Sequence, residues 1–246
     1  MLGDGFLQKY RKTGDARLKL EHGIVQEDYL KWKSNILCKF FDGSSKERIR
    51  ERGTNKDPLR YVWYQSRVNI KLTNIYYNLY KKKEAEGYKL NLRLKWLNRF
   101  TALGLMVWYF DDGHLHVRDR SIIISVESLG DSNVIKLQKH LKIAWDIDSR
   151  LERYKYKNRD KFTCLLCIST KQTKKLIRII LPVIPRECKS LLYKVSMIYK
   201  QTKLQQRWIS DIIELSQFSE KEIAEFYRTK LSDDLFTKCF PNYITV

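Results

Sequence analysis

Apolar and polar positions along this chain run through one series of local patterns twice. In the first pass, Ala16 to His22 alternates apolar with polar residues, the period of a strand with one covered face. In the second, Ser121 to Ser128 places Ile122, Ile124 and Val126 at alternate positions. A helix with one apolar stripe is predicted after each run. Its apolar positions are Tyr29, Trp32, Ile36 and Leu37, and then Val134, Leu137, Leu141 and Trp145, at the separations of three and four that share a helix face. Two strand-length segments around a polar turn come next in each pass. Lys46 to Arg52 and Arg60 to Ser66 flank one turn, and Arg150 to Tyr156 and Phe162 to Thr170 flank the other. A closing helix is predicted over Lys71 to Lys83 and over Thr173 to Ile180. The fold class is therefore α+β with antiparallel strands, built from two similar halves.

Each pass opens on an Asp-Gly pair. Asp4-Gly5 and Asp112-Gly113 stand 108 residues apart. The second pair closes a helix-length apolar stretch from Thr101, in which Leu103, Met106, Val107 and Phe110 share a face and Gly104 permits close approach of another backbone. An isolated Asp-Gly is the polar exit turn of a buried helix. Here two carboxylates, Asp111 and Asp112, sit together at the carbonyl end of a helix, which is electrostatically unfavourable unless a cation offsets them. That placement points to a divalent-metal site, and the repeat supplies a further carboxylate at Asp4. Carboxylates from two symmetric halves suit the activation of water and the stabilisation of a leaving oxygen in phosphodiester cleavage.

Charge narrows the partner. Forty-eight Lys and Arg against 28 Asp and Glu give a net charge of +20 on 246 residues, an excess that calls for a polyanion, with nucleic acid first. A membrane surface is the rival. No apolar run reaches the roughly 18 residues of a spanning helix, and Met1-Leu2-Gly3-Asp4 has no signal-peptide pattern, so a soluble intracellular protein is expected. Five cysteines at irregular spacing read as free thiols in a reducing compartment. Cys164-x-x-Cys167 lacks a second ligand pair and reads as packing, while His114 and His116 read as surface or phosphate contacts. Basic residues concentrate on the hairpins. Arg48, Arg50 and Arg52 alternate along one strand, and Arg153, Lys155, Lys157 and Arg159 along another, as a two-stranded ribbon in a DNA major groove requires. Residues 150 to 207 hold sixteen Lys or Arg against three acids, so salt sensitivity should arise there.

The stretch Leu105-Met-Val-Trp-Tyr-Phe-Asp-Asp-Gly113 resembles the second signature helix of the LAGLIDADG homing endonucleases, and Met1-Leu2-Gly3-Asp4-Gly5 resembles the end of the first. The resemblance covers residues 1 to about 200 and is to the single-chain type with two motifs. It implies a pseudo-symmetric pair of LAGLIDADG half-domains, 1–95 and 96–200, whose antiparallel sheets form a DNA-binding saddle. The first signature helix is expected to be truncated, with three residues ahead of Asp4. It also implies that Asp4 and Asp112 bind catalytic metals, Mg²⁺ or another divalent ion, with one lysine per half beside them. Lys89 in Tyr88-Lys89-Leu90 and Lys194 after Ile184-Pro185 match those catalytic lysines, which by the resemblance orient water or stabilise the developing phosphorane charge; their separations from Asp4 and Asp112 are 85 and 82 residues, and Lys189 is the alternative in the second half. Arg17 and Lys19, on the strand ahead of the first hairpin, join the same saddle.

The implied activity is a metal-dependent double-strand break at a double-stranded DNA site by an intron-encoded, monomeric homing endonuclease. An intron maturase binding intron RNA, or a DNA-binding protein without catalysis, would use the same saddle. The compartment is an organelle, mitochondrion or chloroplast, or the cytoplasm of a bacterium or phage-infected cell. Past residue 200 the repeat stops. Ser219-Glu-Lys-Glu222 is a capping box, and helices are predicted near 203–217 and 219–231 as a packing extension or a small helix-turn-helix appendage.

Overall fold

The computed structural model describes residues 3–9, 14–41, 50–52, 59–83, 87–155 and 162–243. Two compact units divide the chain. Met1–Arg99, Ser128–Lys136 and Glu187–Ser190 form one, and Phe100–Glu127, Leu137–Arg186 and Leu191–Val246 form the other.

The first unit is built on strands β1 (Phe6–Lys9), β2 (Ala16–Gly23), β3 (Arg50–Arg52) and β4 (Leu59–Gln65), with helices α1 (Glu27–Ile36) and α2 (Ile70–Leu79). The strands join in the order β1-β2-β4-β3, all antiparallel. Alternation along β2 sends Ala16, Leu18, Leu20 and His22 into the core and leaves Arg17, Lys19 and Glu21 half-buried on the opposite face. Leu30 of α1 and Leu72 and Leu79 of α2 complete that core, and each fully buried leucine contributes roughly 1.5–3 kcal/mol. Leu30 rather than Ile36 supplies the inward position of α1, since Ile36 is 52% exposed. Side chains close the joint between α2 and β2. The Ala16 N–H donates to Thr73 Oγ1 at 2.7 Å and the Leu18 N–H to Ser66 Oγ at 2.8 Å.

The predicted helix from Lys71 to Lys83 stops four residues early. After Leu79 the chain turns into strand β5 (Tyr80–Lys83), which pairs with β6 (Gly87–Leu90) in a separate two-stranded sheet. Lys81, Lys82 and Lys83 bring no apolar position to continue the helix's buried stripe, so nothing in packing holds them helical. Beyond β6, buried Asn133 ties the chain down. Its side chain accepts from the Leu92 N–H at 3.0 Å and donates to the carbonyls of Leu90 and Leu129 at 2.8 and 2.7 Å. Helix α3 (Leu94–Leu97) follows.

The second unit repeats the plan. Helix α4 (Ala102–Asp112) leads into strands β7 (Gly113–His116) and β8 (Ser121–Ser125), then come helix α5 (Asp131–Trp145), which belongs to this unit from Leu137 onward, strands β9 (Arg150–Lys155) and β10 (Phe162–Ile168), and helix α6 (Thr170–Ile180). The strand order is β7-β8-β10-β9, the same as in the first sheet, and again antiparallel. Leu137 and Leu141 of α5 and Leu176, Ile177 and Ile180 of α6 are buried.

Helices α7 (Thr202–Leu215), α8 (Glu220–Arg228) and α9 (Asp233–Cys239) belong to this unit, the last of them a helix that the sequence patterns did not single out. They are stitched to segment 195–199. Trp208 donates to the Val195 carbonyl at 3.1 Å, Tyr227 donates to that of Met197 at 3.2 Å, and buried Gln205 accepts from the Tyr199 N–H at 2.7 Å. Side chains that must satisfy these carbonyls, together with buried Ile209, Ile212 and Phe240, make the three helices a packing layer.

Candidate functional site

Helix α4 is placed by burial and delivers two acids at its end. Thr101 opens it, its hydroxyl oxygen accepting from the Gly104 N–H at 3.3 Å. Leu105, Met106, Trp108, Tyr109 and Phe110 are buried, and a Cβ at Gly104 would meet the Phe100 ring at 2.7 Å, so the rod is closely packed. Asp111 and Asp112 end it, both partly exposed, and Gly113 passes directly into β7. The pair is thus anchored on one side by a buried helix and on the other by a strand paired to Ile124. Carboxylate oxygens are hard donors, the class that Mg²⁺ and similar cations take, so the donor set fits a divalent ion.

Lys194 lies at this same helix end. It closes the 3-10 turn Lys189–Lys194, is 5% exposed, and its Nζ donates to the carbonyl oxygens of Phe110 and of Gly113, the latter at 2.9 Å. The last carbonyls of a helix have no partners within it, and a cation there is favoured by the helix dipole. The contact is reciprocated. Tyr109 donates its hydroxyl to the Lys194 carbonyl at 2.5 Å, and burial, followed by Tyr193, holds that phenol well above its ordinary range. His114, on β7, is shifted the other way: burial, then His116 and Lys194, lower its pKa.

In the first unit Asp4 is exposed, with Oδ2 3.5 Å from Nδ1 of buried His22, and Gln26 Oε1 lies 3.1 Å from the same nitrogen. These residues with Phe6, Lys19 and Tyr61 line an open pocket of about 440 Å³. The sequence does not single out His22, because an inward position in an alternating strand reads as core. Its one legible signal is that it is a histidine where Ala16, Leu18 and Leu20 precede it on the same face. Lys89 lies in β6, paired with Lys81.

Strand register sorts the basic residues by face. On the first sheet, Lys19 pairs with Phe6 and Gln65, and Arg17 with Gln8, on the side away from the core. Arg17 donates to Gln8 Oε1 at 3.1 and 3.3 Å. Lys19 lies 2.9 Å from Glu21 and 4.8 Å from the Trp63 ring centroid. Arg50 pairs with Tyr61 and Arg52 with Leu59, while Arg48 lies outside the described residues. On the second sheet, exposed Arg153 and Lys155 pair with Cys164 and Phe162, in the alternation that contains buried Leu166 and Ile168. Arg150, Glu152 and Tyr154 fall on the other alternation, which Ser121, Ile123 and Ser125 continue across β8. Both Arg150 and Tyr154 donate to Glu152. Lys157 and Arg159 lie outside the described residues. Cys167 shares that alternation, its thiol pushed up to about 11 by burial and then by Glu152, which leaves it unreactive.

Two antiparallel sheets of identical strand order, one of them entered directly from a buried helix that ends in paired acids, define a duplicated α+β architecture. The chain belongs to the LAGLIDADG DNA endonuclease family, whose model matches residues 1–176. It is similar in fold to the homing endonuclease I-WcaI bound to its DNA recognition sequence, at a TM-score of 0.61 and 18% identity over 80% of this chain and 83% of that one. Curated relatives include proteins named RecA from Mycobacterium shimoidei, 26% identical, and Mycolicibacterium chitae, 27% identical, each over 163 residues and 61% of this chain. The chain spans about a third of the length of these relatives, 35% in both cases, so their name carries no activity over to it. Among the described residues no helix is long and apolar enough to cross a membrane.

Proposed function

We propose that this chain is a homing endonuclease that makes a double-strand break in a specific double-stranded DNA site by divalent-metal-dependent hydrolysis. The carrying observation is the exact doubling of a four-stranded sheet, β1-β2-β4-β3 and β7-β8-β10-β9, in a family of DNA endonucleases and on a chain of net charge +20. Half-domains 1–95 and 96–200, with 201–246 as an extension, would each offer a basic sheet to half of the target. A monomer then suffices, in the cytoplasm or an organelle, and the gene would be intron-borne.

In this reading each repeat contributes one metal-binding carboxylate, Asp4 and Asp112, and one lysine, Lys89 and Lys194. Mg²⁺ held there would polarise the scissile phosphate and lower the pKa of an attacking water. The protein's part would be to hold the oxygens in place, and the direct passage from buried α4 into β7 supports that for Asp112. On the first sheet Arg17, Lys19, Arg48, Arg50 and Arg52 would meet the DNA, the guanidinium of Arg17 being already oriented by Gln8. On the second, Arg153, Lys155, Lys157 and Arg159 would grip phosphates along the hairpin, and Arg150 and Tyr154 would face base edges.

The test is incubation of the chain with Mg²⁺ and a plasmid carrying the intron-free insertion junction of its gene. Linear product that disappears with EDTA supports the reading. Retention of the junction without cutting would replace it with a DNA-binding role, and preference for the host intron transcript over the duplex would replace it with an RNA-binding one.

A further inference from the structure

We propose that Lys194 is a positioning residue, which sets the metal-binding turn by clamping its main chain. Phe110 immediately precedes Asp111, and Gly113 immediately follows Asp112. The Lys194 ammonium donates to the carbonyls of both, so one cation ties together the two ends of the acidic step. Tyr109, one residue further back, fixes the Lys194 main chain through its hydroxyl. The result is a closed loop of contacts around Asp111 and Asp112, made by a lysine that is 5% exposed.

The physical reason is local. At the end of α4 the Phe110 carbonyl is one of the four that lack an intrahelical donor, and left unmet in a buried setting it would pull the turn into another conformation. A lysine is long enough to reach it from a different segment, and its charge lies at the negative pole of the helix where two carboxylates have been added. Groups that orient metal ligands without touching the metal characteristically change its affinity by one to two orders of magnitude. The assignment rests on the metal reading of Asp112 given above.

Tb³⁺ binding, read by luminescence sensitised through the protein's aromatic residues, tests it on the full chain without requiring cleavage. Lys194→Met should weaken Tb³⁺ binding about tenfold or more, whereas Lys194→Gln, whose amide can still donate to a carbonyl, should stay within about threefold of the parent. Tyr109→Phe, a milder loosening of the same loop, should fall between them and serves if Lys194→Met does not fold. Parental Tb³⁺ affinity in the folded Lys194→Met chain, or in Tyr109→Phe in its place, would overturn the positioning role. A parent that binds no Tb³⁺, or whose affinity is untouched by Asp112→Asn, would overturn the metal reading itself and the purpose of Lys194 with it.

Discussion

Gly113 lies so close to Tyr109 that a Cβ on it would come within 2.2 Å of the tyrosine ring and 2.4 Å of the tyrosine carbonyl oxygen. The backbone at Gly113, with φ of −95°, is one any residue adopts, so it is space and not conformation that demands glycine here. Gly113→Ala should therefore destabilise the chain by about 1–3 kcal/mol through overpacking, as measured by thermal or urea unfolding. An unfolding midpoint unchanged from the parent would show that α4 and β7 separate more easily than their packing implies.

Asp112→Asn should abolish cleavage, by more than about a hundredfold, while DNA affinity in Ca²⁺ remains near that of the parent. Gel-shift and plasmid cleavage on one preparation measure both. Parallel loss of binding and cleavage would mean that Asp112 holds the fold or the DNA and not the metal.

If Arg17 meets a base edge and Lys155 grips a phosphate, replacing each should have a different consequence. Arg17→Ala should relax sequence preference at one position by about 1–3 kcal/mol, and Lys155→Ala should lower affinity evenly and reduce the salt slope by about one. Binding titrations at several salt concentrations, over a library of single-base variants, separate the two. An even loss across all variants for Arg17→Ala would make it a phosphate contact.

His114 and His140 both have pKa values lowered from 6.5, the first by burial, His116 and Lys194, the second by burial. Below 6.5 the unfolded chain takes up protons at these sites before the folded one does. Stability must then fall as pH drops from 6.5 through the lowered values, and rise again toward neutrality. Unfolding midpoints measured across that window should show a shallower acid decline in a His114→Gln, His140→Gln double variant, and an equally steep one would place the decline in other groups.

The capping box on α8 is complete, with Ser219 Oγ accepting from the Glu222 N–H at 3.3 Å and the Ser219 N–H donating to Glu222 Oε2 at 2.8 Å. Ser219→Ala should cost about 1 kcal/mol, seen as a lower unfolding midpoint. No change would show that burial of Ile223 and Tyr227 alone sets this helix.

Elements whose burial repeats at a helix or strand period are legible in the sequence. Strand β2, helix α4 and the capped α8 fall where Leu18-x-Leu20, the apolar run to Phe110 and Ser219-x-x-Glu222 put them. The stop at Leu79 is not, because a run of lysines has no period to contradict a helix and the partner strand β6 comes from tertiary pairing. Nor is the face on which Arg150 sits. A single strand shows alternation but not which alternation meets the core, and only the pairing of Leu151 with buried Leu166, which sets Arg150 opposite Cys167, decides it. At the site, Asp112 and Lys194 could be marked as residues, but their link could not. It runs through main-chain carbonyls, which every residue carries and no sequence distinguishes.

The two sheets share a strand order but not a surface. Phe6, Arg17 and Lys19 occupy one outer face, and Ser121, Ile123 and Ser125 the corresponding face of the other. Two identical subunits would have to mirror each other's contacts and so would be confined to palindromes. Joining the copies in one gene releases that constraint. Each half is free to drift on its own, so that in the proposed reading the chain can follow an asymmetric address, and a change to one half need not be matched in the other.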